Sequence, residues 1–136
     1  MNIKVETALK AYAKGCTCSQ AVIAAYVDEL GITKENLYRM MEGYGSGFGG
    51  AQEVCGAFAA ACMVISFLNS DGNDTGLTKH DTYEKITEAR MLFTDIYKSI
   101  RCIEIMHGEK PKPLKCGQKV KDAVRCVEEY RKKYNK

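Results

Sequence analysis

The reactive side chains of this chain are its seven cysteines, a high number for 136 residues. Cys18, Cys55 and Cys116 are each predicted to lie in the first turn of a helix, whereas Cys102 is predicted near a helix C-terminus. Free backbone N–H groups and the helix dipole favour a thiolate in a first turn, and the thiolate is both the nucleophile and the metal ligand. If these four cysteines converge, they form a thiolate-rich site. The alternative is four separate small buried residues, because free cysteine often packs as an apolar side chain.

The other three cysteines are expected to pack or to lie at the surface. Cys62 lies about 10 Å along the same predicted helix from Cys55, too far for a disulfide, which needs Cα atoms within about 7 Å. Cys126 lies deep in the last predicted helix, and a bond from Cys16 to its near neighbour Cys18 would be strained. No pair has the Cys-x-x-Cys spacing typical of a zinc site. The two histidines are weaker candidates for the site than the cysteines. His80 is expected in solvent, and His107 is a candidate ligand or base.

A glycine-rich loop from Gly43 to Gly50 precedes Cys55. Its Gly-x-Gly-x-x-Gly letters match a dinucleotide fingerprint, but no strand precedes them, so we reject that interpretation. Glycine allows a close approach of the backbone to a cluster or an anion, and it equally allows a tight connection between helices. The glycines predicted to contact a cofactor are Gly47, Gly49, Gly50 and Gly56.

Hydrophobic periodicity predicts an all-α protein, a compact bundle of five to six helices in one domain of residues 1–136. Its centre is predicted to be a buried helix over about Gln52–Leu68, which is apolar almost all the way round. No segment has the pattern of a strand. The flanking helices are predicted over Ile3–Lys14, Cys18–Leu30, Thr33 to near Gly43, Thr78 to about Cys102, and about Leu114–Tyr134.

Thr17 is predicted as the N-cap of the second of these flanking helices, and Thr78 is predicted to cap its helix with Asp81 in the capping-box position. The residues predicted to face the core include Met40, Tyr83 and Ile96 and, on the last helix, Val120, Ala123, Val124 and Val127.

Composition restricts the function classes. The hydrophobic fraction of 46% and the charged fraction of 27% are those of a soluble globular protein. The net charge of +3 does not indicate a nucleic-acid partner, and no apolar run is long enough for a membrane span or has the form of a signal peptide. We therefore expect a cytoplasmic protein, in which seven cysteines indicate metal binding or redox chemistry rather than a disulfide framework.

The cysteines stand in sequence motifs that resemble a known family. The motifs are Thr17-Cys18-Ser19-Gln20-Ala21-Val22, Gly47-Phe48-Gly49-Gly50 leading to Glu53-Val54-Cys55-Gly56-Ala57, Ser99-Ile100-Arg101-Cys102, and Cys116 followed by Val120-x-Asp122-Ala123. Over nearly its whole length the chain resembles the C_GCAxxG_C_C family of small helical proteins described as redox-active. The resemblance implies that Cys18, Cys55, Cys102 and Cys116 are the family's four cysteines. The chain departs from the family pattern at two places. Ala60 stands where the pattern has its second glycine, and the order Cys55-Gly56-Ala57 replaces a literal Gly-Cys-Ala.

Three functional hypotheses follow. In the first, the four cysteines bind an iron–sulfur cluster or another thiophilic metal for electron transfer, which a related domain in split-Soret cytochromes also suggests by analogy. In the second, they carry out metal-free thiol–disulfide chemistry with Cys18 and Cys55 as low-pKa thiols. In the third, the chain is a structural zinc domain or a helical interaction module without turnover. The redox partner is unknown, and tyrosines and methionines could serve a homo-oligomer interface.

Overall fold

The computed structural model describes residues 2–110 and 115–136, and it confirms the all-α fold. Within these residues the regular elements are helical, and β-pairing is limited to one isolated bridge between Val54 and Arg101. The helices are α1 (Ile3–Ala13), α2 (Cys18–Ala24), α3 (Val27–Leu30), α4 (Lys34–Met41), a 3-10 turn (Glu42–Tyr44), α5 (Gly45–Phe48), α6 (Gly56–Asn69), α7 (Lys79–Tyr97), α8 (Cys102–Ile105) and α9 (Gly117–Tyr134).

Helix α6 is the centre of the bundle, packed against α2, α7 and α9. Its alanines Ala57, Ala60 and Ala61 have no exposed surface, so neighbouring helices approach the backbone closely. The predicted central helix is therefore confirmed, but it begins at Gly56 rather than Gln52. It is also not enclosed on every side, because Met63 and Phe67 are 40% and 51% exposed.

The helix predicted over Cys18–Leu30 is broken into α2 and α3. The break falls at Ala25 and Tyr26, whose N–H groups bond three residues back to Val22 and Ile23. Tyr26 is fully buried there, and its hydroxyl donates to the carboxylate of Glu128 on α9 at 3.0 Å. A long-range contact is thus made at the position where the local apolar pattern predicted an uninterrupted helix.

Other predicted boundaries shift by a few residues. Thr78 does not form the predicted capping box with Asp81, because its hydroxyl faces Ser70 and Asp71 in the preceding loop. The last helix begins at Gly117, while its predicted start at Leu114 lies outside the described residues. Three residues predicted as core are exposed instead: Met40, Tyr83 and Ile96.

A membrane span needs a long, apolar helix. No helix within residues 2–110 and 115–136 has the combination of length and apolar character that crossing a bilayer requires.

Candidate redox site

One cavity of about 610 Å³ collects five of the seven cysteines. It opens where the C-terminus of α1, the N-terminus of α2, the glycine loop and the start of α6 meet. The cysteines on its wall are Cys16, Cys18, Cys55, Cys102 and Cys116. The four cysteines singled out from the sequence therefore border a common space. Cys16, which was expected to lie outside this site, borders the cavity too. The sequence feature that could have included it is its position in the turn that leads into α2.

Cys18 occupies the first position of α2, directly after a capping box. Gln20 donates its backbone N–H to the Thr17 hydroxyl at 3.1 Å, and Thr17 donates its own N–H to the Gln20 side chain at 3.0 Å. The N-cap expected at Thr17 is confirmed. These reciprocal bonds satisfy two backbone donors and fix the entry of the helix, and with it the direction of the Cys18 side chain.

Cys55 and Cys102 are held by a short pairing of two extended segments. Cys55 donates its N–H to the Ile100 carbonyl at 2.7 Å, and Cys102 donates its N–H to the Glu53 carbonyl at 2.6 Å. A third bond runs from the Ile103 N–H to the Gln52 carbonyl at 2.9 Å. Cys55 is consequently the N-cap of α6 rather than a residue of its first turn.

The placement of Cys102 at a helix C-terminus is wrong. Helix α7 ends at Tyr97, and Lys98 turns the chain with a left-handed conformation (φ 64°). Cys102 then opens α8, so that it stands at a helix N-terminus like Cys18, Cys55 and Cys116. The pairing with Gln52 and Glu53 determines this position, and such a contact leaves no local pattern in the sequence.

Glycines bring the cysteine-bearing segments into contact. A Cβ on Gly56 would lie 2.3 Å from the Tyr44 carbonyl oxygen, and one on Gly47 would lie 2.8 Å from the Cβ of Cys102. Gly47 also has φ +74°, which side-chain-bearing residues rarely adopt. Gly47, Gly50 and Gly56 line the cavity. Gly49 instead faces the Gly43 carbonyl oxygen, at 3.4 Å from its added Cβ.

Cys116 is the N-cap of α9 and belongs to the cavity wall. Its backbone N–H donates to the hydroxyl of Tyr12 on α1 at 3.0 Å. This bond joins two residues that are 104 positions apart in the chain. The packing of α1 against α9 therefore sets where Cys116 meets the cavity.

Burial keeps the thiols of Cys18, Cys55 and Cys102 protonated in the metal-free chain. Desolvation raises the pKa of Cys18 and Cys102, and it raises the pKa of Cys55 to about 12. A charge on Cys116 would raise all three further, because like charges repel. Backbone N–H groups oppose this shift at Cys18 and Cys55, but their effect is the smaller one. The prediction that Cys18 and Cys55 are low-pKa thiols is therefore wrong. It included the pKa-lowering effect of a helix N-terminus but not the larger, pKa-raising effect of desolvation.

The remaining candidate residues lie apart from the cavity lining that the structure describes. Cys62 and Cys126 are in the packing of α6 and α9, and burial raises the pKa of each to about 12. The Cys126 thiol donates to the Ala89 carbonyl at 3.8 Å. His107 is exposed with φ 53°, and His80 is exposed as expected.

The cysteine, histidine and carboxylate groups of the described residues do not form a site for a single metal ion. Across residues 2–110 and 115–136, no three cysteine, histidine, aspartate or glutamate side chains are close enough to share one ion. A structural zinc needs three or four such ligands around one point. The described arrangement therefore does not fit a mononuclear zinc site.

One known family matches most of this chain, including the segment that carries the cavity cysteines. A family model described as "Putative redox-active protein (C_GCAxxG_C_C)" matches residues 16–130. The chain belongs to the C_GCAxxG_C_C family. The match spans all five cavity cysteines and confirms the family resemblance seen in the sequence. Neither the curated proteins nor the solved structures contain a match to the chain.

Proposed function

We propose that the cavity is a redox site in which Cys18, Cys55, Cys102 and Cys116 bind a polynuclear thiophilic metal centre, with an iron–sulfur cluster as the first candidate, for electron transfer. The observation that carries the proposal is that cysteines from four separate segments border one cavity of about 610 Å³. When bound, such a centre would supply one-electron transfer.

The chemistry and size of the donor set support a cluster over a single ion. Thiolates are soft ligands that prefer iron–sulfur clusters, zinc and copper(I) over hard cations. Within residues 2–110 and 115–136, no three cysteine, histidine, aspartate or glutamate side chains form a group that could hold one metal ion. A centre with several metal atoms can reach ligands that surround a wider space, and four cysteines are the usual ligand set of a cluster.

The backbone around the cavity also suits bound thiolates. Burial raises the pKa of Cys18 and Cys55, and hydrogen bonding from backbone N–H groups opposes it: those of Ser46, Ser19 and Ala57 at Cys18, and those of Phe58 and Ala57 at Cys55. Burial also raises the pKa of Cys102, and the Gln52 side chain opposes it in the same way. Hydrogen bonds of this kind stabilise the negative charge on ligating sulfur and shift the reduction potential. The glycine loop contributes through Ser46, which stands between Gly45 and Gly47.

Metal binding at this site has to displace protons. The thiols of Cys18, Cys55 and Cys102 are protonated near neutral pH because burial raises the pKa of each one. A cation in the cavity replaces the missing hydration and favours the deprotonated form. We therefore expect loading of the centre to become tighter as the pH rises.

Thiol–disulfide chemistry is the second candidate, and the presence of Cys16 in the cavity favours it. A fifth thiol allows one cavity cysteine to attack an external protein disulfide and a second to displace the mixed disulfide. Two cavity thiols would lose two electrons and two protons, and the partner's two sulfurs would gain them. The raised pKa of Cys18 and Cys55 weighs against this candidate, because little thiolate exists at neutral pH.

The deciding experiment uses protein purified without oxygen. We expect broad absorption near 400 nm together with iron and sulfide in the wild type. Cys55→Ala should abolish them, whereas the matched variant Cys126→Ala, which removes a buried cysteine that does not line the cavity, should retain them. A wild-type protein with neither metal nor colour, whose cavity cysteines pair reversibly, would replace the cluster with the thiol–disulfide candidate.

A further inference from the structure

Tyr12 is buried in α1 and forms part of the wall of the cysteine cavity. Its hydroxyl oxygen accepts the backbone N–H of Cys116 at 3.0 Å. Burial raises the pKa of Tyr12, and the charge that the nearby Cys116 thiol can carry raises it further. The phenol thus binds the backbone of a cavity cysteine and lies near its thiol. This contact is the polar link between α1 and the start of α9.

The hydrogen bond from Cys116 to Tyr12 involves a backbone N–H that helix α9 does not use. Cys116 precedes the first residue of α9, so its N–H lies outside the helical hydrogen-bond pattern. Its side chain makes no capping bond to the helix and remains available to the cavity. The hydroxyl of Tyr12 therefore satisfies the backbone donor while the thiol stays unengaged by the helix.

Four other tyrosine hydroxyls bind groups that do not line the cavity. They donate to carboxylate or amide groups and join helices to one another: Tyr26 to Glu128, Tyr97 to Asp122, Tyr130 to Asn69 and Tyr134 to Glu88. The Tyr12 hydroxyl meets a cysteine of the cavity instead.

We propose that Tyr12 is a positioning residue of the redox site, which holds Cys116 against the cavity and directs its O–H at the Cys116 sulfur. The proposal rests on the proposed function in one respect, namely that Cys116 is a redox cysteine. A donor to sulfur stabilises the more negative, reduced state of the site, whether that state is a reduced cluster or a thiolate. Removal of the hydroxyl should therefore make the site harder to reduce.

The test compares Tyr12→Phe with Tyr130→Phe. Both variants keep the ring and lose one hydroxyl, and Tyr130 donates to Asn69 at 3.0 Å, away from the cavity. We expect Tyr12→Phe alone to shift the reduction potential to a more negative value. We also expect roughly tenfold faster hydrogen exchange at the Cys116 amide, the fold-change for a hydrogen bond of ordinary net strength. Circular dichroism establishes that both variants are folded.

The outcomes separate this inference from the proposed function. If wild-type protein binds no metal, the cluster proposal fails, and the potential of the cavity thiols is then measured in thiol–disulfide buffers with the same two variants. In either form of the protein, an unchanged potential in Tyr12→Phe overturns the positioning role. A changed amide exchange with an unchanged potential also overturns it, because it would show a structural bond alone.

Discussion

Gly56 lies directly against the backbone of Tyr44, so that a methyl group added to its Cα would stand 2.3 Å from the Tyr44 carbonyl oxygen. The same methyl group would be 3.0 Å from the sulfur of Cys18. Cys55 is the residue immediately before Gly56. The absence of a side chain at this one position therefore sets how closely the segments that bear Cys18 and Cys55 approach.

Gly56→Ala is expected to destabilise the protein and to weaken loading of the site. The obstructing atom is backbone, which cannot rotate away, and overpacking of this kind typically costs about 1–3 kcal/mol. Urea unfolding gives the loss of stability. Gly43→Ala is the matched control, since its Cβ would meet no atom within 4 Å, and it should stay within about 0.5 kcal/mol of wild type. Equal losses in the two variants would contradict the close-approach explanation.

Arg101→Ala is expected to leave the pairing around Cys55 and Cys102 intact. Arg101 and Glu53 form an ion pair of 3.2 Å across this pairing, but both side chains are about half exposed. Such pairs are worth at most about 1 kcal/mol. Hydrogen exchange should show the Cys55 and Cys102 amides still protected, because their partners are the Ile100 and Glu53 carbonyls. Loss of protection in this variant would show that the ion pair, not the backbone, holds the cysteines.

Asp122→Ala is expected to cost about 1–3 kcal/mol, because it leaves the hydroxyl of half-buried Tyr97 without its partner. Gln118 and Arg125, by contrast, are exposed and can bind water instead. The carboxylate is 2% exposed and accepts from Tyr97 at 2.5 Å and from Gln118 at 3.0 Å, while Arg125 lies 3.1 Å away. Chemical unfolding of this variant is compared with that of Asp95→Ala, which alters an exposed aspartate on α7. A loss in Asp122→Ala no larger than in the control would rule out a stabilising role for this network.

Stability of the metal-free protein should fall as the pH rises above about 9. Burial raises the pKa of Cys62 and Cys126 from the ordinary value of 9.0 to about 12. Between these values the unfolded chain has lost the two protons and the folded chain has kept them, so alkaline pH favours unfolding. Urea unfolding at pH 8 and pH 10.5 under reducing conditions measures the slope. A double variant with alanine at both positions should show a shallower decline, and an unchanged slope would exclude these thiols as its cause.

Local patterns in the sequence predicted the helices and the N-cap at Thr17, which lines the cavity. The residues predicted to face inward from α9, Val120, Ala123, Val124 and Val127, have no exposed surface, because an amphipathic period survives tertiary packing. The cap at Thr17 was predictable for the same reason. Its bonds join residues three positions apart, so the information lies within the segment itself.

The features that the sequence did not predict depend on contacts between distant segments. Cys102 was misplaced because its orientation depends on Glu53. The Cys102 N–H binds the Glu53 carbonyl, although α6 and α7 lie between the two residues in the chain. The thiol pKa of Cys55 was predicted with the wrong sign for a related reason. A helix N-terminus can be recognised locally, whereas the exclusion of water from the sulfur requires the rest of the fold.

The bond between Cys116 and Tyr12 has a consequence for synthesis of the protein on the ribosome. Its two partners are 104 residues apart, so the thiols of Cys16, Cys18 and Cys55 leave the ribosome well before α9 can pack on α1. During that interval they are not enclosed by the finished cavity. The nascent chain therefore passes through a stage in which its thiols are more open to oxidation than they are in the folded protein.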